Sequence, residues 1–364
     1  MPCNVARLVV GTLVLCTAAC ATPKGPPVKV TIPKGATFRV AAESLATYGL
    51  VSNARLFGVY AKLRGRDRSM RYGTYVLARG ISWNELLEDL RRGRGIVHTV
   101  TIPEGYGLSQ IIPLLAEALD TPRDSLEAAV RDSTLRRQLD IPTPTLEGYL
   151  FPDTYQFPDR TSAREAVAAM VRRFEQVWRP EWQGALDSLK LSRHDAVTLA
   201  SIVEREVRRR DEGPVVAAVY LNRLRSRMML QADPTVTYAL GKRPGRVTYK
   251  DLRVSSAYNT YRVFGLPPGP IGSPGLSSLE ATLHPANVSY KFFVAHPDGH
   301  HEFRKTYREH LEAIRMVRAI AGSDSATREL NAVRAARDSA ARAAGAPIES
   351  LPPLVAPRKK PRRP

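Results

Sequence analysis

A six-residue phrase occurs twice in this chain. Val30-Thr31-Ile32-Pro33-Lys34-Gly35 returns as Val100-Thr101-Ile102-Pro103-Glu104-Gly105, an offset of 70 positions. The β-branched residues ahead of Pro-x-Gly predict a strand ending in a tight turn, where proline presets one φ and glycine supplies a positive one. Apolar residues then recur at helical spacing: Phe38, Val40, Ala41, Leu45 and Leu50 after the first copy, Leu108, Ile111, Ile112, Leu115 and Leu119 after the second. A chain so written must build two strand–turn–helix units early on. Between them, Tyr72–Leu77 predicts a strand. Ser82–Arg92 predicts a helix capped by Ser82, with Leu86, Leu87 and Leu90 inward.

From Thr121 onward helical patterns dominate, around 123–132, 162–177, 195–210 and 214–226. Pro267-Pro268-Gly269-Pro270 and Ser273-Pro274-Gly275 predict a rigid irregular segment. A helix near 277–283, strands on either side of a turn at Pro297-Asp298-Gly299, and a helix from Tyr307 to Ile320 complete the pattern. The expected class is α+β: a small α+β subdomain over 28–95, then a mainly helical α+β domain over 96–320.

Both ends differ from this body. Arg7 precedes an apolar run, Leu8–Ala21, that is shorter than the roughly 20 residues of a membrane span. Residues 1–22 read as a secretory signal or short anchor, and Thr17-Ala18-Ala19-Cys20 offers Cys20 for lipid attachment. All three cysteines (Cys3, Cys16 and Cys20) lie here, so the body has no disulfide and must rely on its apolar core. Residues 321–364 are Ala/Arg-rich, end Arg358-Lys359-Lys360-Pro361-Arg362-Arg363-Pro364, and read as a basic disordered tail. The net charge of +19 favours an anionic partner. No nucleic-acid recognition motif accompanies it, so nucleic acid is not the expected partner.

Several chemistries are disfavoured by what the chain lacks. It has no phosphate-binding glycine loop and no Gly-x-Ser-x-Gly elbow. His300, His301 and His310 have no carboxylate at a spacing such as His-Glu-x-x-His, so neither metal nor cofactor is expected. The helix Asp195–Arg210, with Ser192 as a cap, is the better candidate. Its stripe runs Ala196, Leu199, Ala200, Val203, Val207, and Glu204 borders it. Partial desolvation there would raise the carboxyl pKa toward that of a general acid. The plain alternative is a pair of solvated i,i+4 ion pairs, Glu204–Arg208 and Glu206–Arg210. Gln231, Asp233 and Thr235 in one short loop, and Asn259, Thr260 and Tyr261 in another, supply the amides, hydroxyls and aromatic faces that suit a sugar.

These segments resemble the YceG-like endolytic murein transglycosylases. The likeness runs through Leu146-Glu147-Gly148-Tyr149-Leu150-Phe151-Pro152-Asp153-Thr154-Tyr155, Leu199–Glu206, Asn222-Arg223-Leu224, Met229–Val236, Tyr258–Tyr261 and Gly265–Pro270. It ends with Pro274-Gly275, His284-Pro285, Phe293–Ala295 and His301–Phe303. The resemblance implies a LysM-like subdomain, a catalytic domain, and a membrane anchor facing both toward the periplasm or outer wall. It assigns catalysis to Glu204 as single acid/base, with Gln231, Asp233, Thr235, Asn259, Thr260 and Tyr261 as candidate substrate-binding residues. The implied reaction cleaves the MurNAc–GlcNAc bond of nascent glycan strands and leaves 1,6-anhydro-MurNAc ends. Implied partners are peptidoglycan strands, the membrane through the leader or its lipid, and, as candidates, peptidoglycan synthases. One departure is that Glu212 is followed by Gly213 where the family commonly has arginine. Two other readings compete: a two-carboxylate muramidase using Asp233 or Glu206 as second group, and a non-catalytic wall-binding scaffold acting through residues 28–95.

Overall fold

The computed structural model describes residues 25–242, 245 and 247–320; the leader at 1–22 with Cys20 and the tail at 321–364 lie outside the described residues. Two units are distinguished. The first runs through His98 and takes in Gln156–Arg160; the second holds Thr99–Tyr155 and resumes at Thr161. The return of Gln156–Arg160 to the first unit has no counterpart in the sequence pattern.

Both copies of the repeated phrase make the same turn. Gly35 and Gly105 sit at φ 81° and 75°, and Ala36 and Tyr106 donate back to the carbonyls of Pro33 and Pro103. In the first unit, β1 (Pro27–Ile32) leads into α1 (Phe38–Thr47) and α2 (Ala54–Leu63), followed by β2 (Gly73–Ala78) and α3 (Trp83–Arg92). β1 and β2 pair antiparallel, Pro27 opposite Ala78 and Ile32 opposite Gly73. Their period-2 alternation turns Val30, Ile32, Tyr75 and Leu77 onto one buried face. Ala41, Ala42 and Leu45 of α1, Phe57 and Ala61 of α2, and Leu86, Leu87 and Leu90 of α3 close the core over it. Val40, expected inward, is exposed, because the buried face of α1 centres on Ala41 and Leu45. Ser82 caps α3 through a reciprocal capping box with Glu85.

The second unit begins within β3 (Val97–Thr101) and continues as α4 (Leu108–Leu119), α5 (Arg123–Ala129) and α6 (Ser133–Gln138). After β4 (Thr154–Pro158), which is divided between the units at Tyr155, come α7 (Ala163–Val177), α8 (Trp182–Leu189), α9 (Arg193–Glu206), α10 (Gly213–Arg225), α11 (Asp233–Ala239) and α12 (Leu276–Leu283). The hairpin β5 (Phe292–Ala295) and β6 (His301–Arg304) precedes a helix over 307–320. Among the described residues strands pair only in twos: β1 with β2, β3 with β4, β5 with β6.

α9 is the axis of this unit. Every residue from Ala196 to Val203 is buried, including Thr198 and Ser201, so the helix is enclosed on all sides rather than along one stripe. Leu199, Ile202 and Val203 pack with Val216, Ala217, Tyr220 and Leu221 of α10 and with Leu230, Ala232 and Ile271. The helix stops at Glu206, four residues short of the expected Arg210. Val207 turns to extended backbone and packs against the core. Arg208, Arg209 and Arg210 then continue on an exposed stretch. The i,i+4 pairs Glu204–Arg208 and Glu206–Arg210 therefore do not form. At Gly213, α10 passes so close to α12 that an added Cβ would lie 3.1 Å from that of Ala281. The arginine that the family commonly carries would require α10 and α12 to move apart by a few tenths of an ångström here.

Candidate active site

Glu204 stands on the last turn of α9, half-buried. The irregular Pro-rich segment supplies its partners. Ser201 Oγ accepts the Ile271 N–H at 3.0 Å, and Arg205 Nη1 donates to the Ile271 carbonyl at 2.9 Å. Gly105 N–H donates to the Ser273 carbonyl and Ser273 N–H to the Tyr106 carbonyl, both at 2.8 Å. Pinned to α9 and to the second Pro-x-Gly turn, the segment delivers Gly275 N–H to Glu204 Oε2 at 2.9 Å. Gly275 is the N-cap of α12, so the carboxyl sits at a helix start, with the Ser278 hydroxyl also bonded to it.

Burial pushes the Glu204 pKa up, and the nearby Glu104 carboxylate adds to that, while the Gly275 N–H, the Ser278 hydroxyl and the Arg210 charge pull it down; the net shift is upward. Glu104 is held by Arg210 Nη2 at 2.6 Å. It lies against the Gly275 backbone: a Cβ there would fall 2.1 Å from Glu104 Oε1. Only glycine admits this approach, and it brings a second carboxylate beside the first. Sequence reasoning missed Glu104, Arg210, Gly275 and Ser278 as neighbours of Glu204. The one available signal was that the second copy of the repeated phrase carries Glu104 where the first has Lys34.

Two residues on, α9 presents a different environment. Glu206 accepts the Tyr220 hydroxyl at 2.9 Å, and burial, with a contribution from Asp233, pushes its pKa up to about 7. Tyr261 Oη donates to Asp233 at 2.6 Å. A cavity of 660 Å³ opens here, lined among others by Arg205, Glu206, Arg208, Asp233, His296 and His301. Glu204 does not line it. Asp233 is thus grouped with Glu206, whereas the charges acting on Glu204 are Glu104 and Arg210.

The other predicted binding residues divide in the same way. Gln231 is exposed and adopts φ 50°, with its N–H bonded to the Thr260 carbonyl. Thr235, Asn259 and Thr260 are buried with their polar atoms already used. Thr235 and Thr260 hydroxyls meet at 2.9 Å, and Thr260 Oγ1 accepts the Ala232 N–H. Asn259 Nδ2 donates to the carbonyls of Leu252 and Val254. Thr235 and Thr260 thus latch the two loops together, Asn259 braces its own loop against the 252–254 backbone, and Gln231, Asp233 and the partly buried Tyr261 are left on display.

Glu147 forms a further buried acid. It accepts the Leu108 N–H at the start of α4 and the Tyr238 hydroxyl at 3.3 Å, and burial lifts its pKa to about 7. Because Gly107 offers α4 no side-chain cap, Glu147 performs that task from 39 residues away.

Residues 30–316 match the YceG-like family. A Bacillus subtilis (strain 168) protein named endolytic murein transglycosylase is 34% identical over 302 residues, which span 79% of this chain and 83% of that protein. A protein of the same name from Streptococcus pneumoniae serotype 2 (strain D39 / NCTC 7466) is 30% identical over 299 residues; this chain covers 54% of its length. The crystal structure of a yceG-like protein from Listeria monocytogenes shares the fold with a TM-score of 0.58 and 31% identity, covering 79% of this chain and 98% of that one.

Proposed function

The chain belongs to the YceG-like family, and from that membership and the setting of Glu204 we propose that it is an endolytic peptidoglycan lytic transglycosylase. The names of its relatives support an enzyme acting on murein, against the non-catalytic scaffold reading. The reaction we assign cleaves the MurNAc–GlcNAc bond. Protonated Glu204 gives its proton to the oxygen joining muramic C1 to glucosamine C4, and the C1–O bond breaks. The resulting carboxylate takes the proton of the muramic 6-hydroxyl as that oxygen bonds to C1, closing the 1,6-anhydro ring and restoring the acid. One carboxyl suffices because the nucleophile is part of the substrate, already at high effective concentration, whereas a glycosidase that adds water needs two.

The observation that carries this reading is the clamped, half-buried Glu204. One oxygen is held by Gly275 N–H, and burial with a neighbouring carboxylate raises its proton affinity. Asp233 then serves a sugar or stem peptide farther along the strand, in the cavity that Arg205 and Arg208 also line, with Tyr261 holding Asp233 and Gln231 two residues before it on the same loop. Residues 28–95 are assigned glycan binding in the manner of a LysM-like module. The leader at 1–22 is assigned the anchor, by retention or by lipid on Cys20, with the body facing the periplasm or outer wall and peptidoglycan synthases as candidate neighbours. Among the described residues no helix is long and apolar enough to cross a membrane.

The muramidase reading keeps one observation in its favour. Glu206, pushed up to about 7, and Asp233 both line the cavity. Purified sacculi digested by Glu204→Gln and Glu206→Gln variants decide between them. The transglycosylase reading expects no anhydro-muropeptides from the folded Glu204→Gln protein and continued release by Glu206→Gln. Full activity of Glu204→Gln would sink the assignment.

A further inference from the structure

The β5–β6 hairpin is closed by a turn that the proposed reaction does not use. Ala295 pairs with His301, so residues 296–300 form the turn. Its backbone is pinned by His296 N–H to the His300 carbonyl at 2.8 Å and Gly299 N–H to the His296 carbonyl at 3.0 Å. On this frame His296, Asp298 and His300 stand at alternate positions. One donor atom from each lies within 4.8 Å of the others.

The side chains are arranged as a ligand set. His300 Nδ1 lies 2.5 Å from Asp298 Oδ1. His296 Nε2 meets Glu302 Oε1 at 2.9 Å, which leaves its Nδ1 as the free donor. A carboxylate on the far nitrogen of a histidine is how metal-binding imidazoles are oriented and made more basic. Arg304 in turn holds Glu302 through its second oxygen. Around the turn the carboxylates of Asp298 and Glu302 face the guanidinium of Arg304 and that of Arg208, whose side chain packs on Gly299. His301 takes no part: its Nδ1 bonds Glu212 at 2.6 Å, and His310 stacks on Phe292. The sequence pattern grouped His300 with those two and overlooked His296.

We propose that His296, Asp298 and His300 form a binding site for a divalent transition-metal ion of the zinc class, at the rim of the 660 Å³ cavity. Two imidazoles and a carboxylate are the donors such ions select, with water completing the shell, whereas magnesium and calcium favour all-oxygen sites. Zinc bonds of about 2.0–2.2 Å place tetrahedral donors roughly 3.4 Å apart, so the three side chains must close in. The two rings must also fan out from their face-to-face packing, centroids 4.0 Å apart. The Asp298 side chain is 67% exposed and that of His300 33%, so both can turn on the pinned backbone.

The site is tested on the full chain with Cys3, Cys16 and Cys20 alkylated, by calorimetric titration with zinc chloride. The expected result is one saturable ion per chain. His300→Ala and Asp298→Ala each weaken binding at least tenfold with an unchanged circular-dichroism spectrum, and Glu302→Gln weakens it about 10–100-fold. His98→Ala, in the first unit, leaves it as it was. Absence of saturable binding by the parent chain, or a loss under tenfold in His300→Ala, overturns the proposal. Binding unchanged in Glu302→Gln overturns the role given to Glu302. None of these readouts depends on murein cleavage.

Discussion

Replacing Gly275 with alanine probes the contact on which the Glu204 environment is built. The backbone tolerates the change, since φ at this position is −77°. The new methyl is what does not fit: it would lie 2.1, 2.4 and 2.8 Å from Oε1, Cδ and Cγ of Glu104. Either Glu104 rotates away or the start of α12 shifts off Glu204. Rotation sacrifices the Glu104–Arg210 pair, whose side chains are 35% and 73% exposed; solvent screening holds such a pair to about 0.2–1 kcal/mol. Shifting α12 would forfeit a hydrogen bond to a charged group, worth about 1.5–3 kcal/mol, and disturb a packed core. Rotation is the cheaper response. Gly275→Ala should therefore lose about 1 kcal/mol or less in urea denaturation, and it should lose nothing further when Glu104 is already alanine. The pH profile gives a sign. With the Glu104 carboxylate removed from its side, Glu204 holds its proton less tightly, so the alkaline limb of activity moves to lower pH, by less than about one unit. A loss above about 3 kcal/mol, or a limb that moves upward because the Gly275 N–H has left Glu204, would refute the argument.

Two further outcomes follow from buried groups. Glu206 has its pKa raised from 4.5 to about 7, so the folded state binds its proton more tightly than the unfolded one. Its contribution to stability is complete below 4.5 and is lost as pH rises through about 7. Glu206→Gln, which can still accept the Tyr220 hydroxyl, should flatten that part of the stability-versus-pH curve; an unchanged slope in denaturant titrations between these limits would contradict the burial assigned to it. Ser201→Ala strips the buried Ile271 N–H of its acceptor. It should cost about 1–3 kcal/mol in denaturant and reduce murein cleavage by loosening the segment that carries Gly275; parent-like stability would show that another acceptor replaces Ser201.

What could be read from the sequence was what the chain decides locally. Ser82, Ser162 and Ser192 all cap helices through a partner three residues on, and the two Pro-x-Gly turns need only their own residues. The end of α9 was misplaced because Val207 is drawn into a core made by distant segments, a pull that helical periodicity does not register. The site is illegible for the same reason. Gly275 reaches Glu204 across 71 positions, and Arg210 reaches Glu104 across 106. The polar loops were legible as polar but not as to direction. Thr235, Asn259 and Thr260 look like sugar-binding residues in the sequence, yet Thr235 and Thr260 spend their hydroxyls joining the two loops and Asn259 spends its amide on the 252–254 backbone, and burial is what separates them from Asp233 and Tyr261.

The central claim is that the substrate's own 6-hydroxyl, deprotonated by Glu204, attacks C1 in place of water. Digestion of purified sacculi in water enriched in oxygen-18, with mass spectrometry of the muramic ends, examines it directly. The account predicts anhydro ends that carry no heavy oxygen. Reducing ends labelled with oxygen-18 would contradict it.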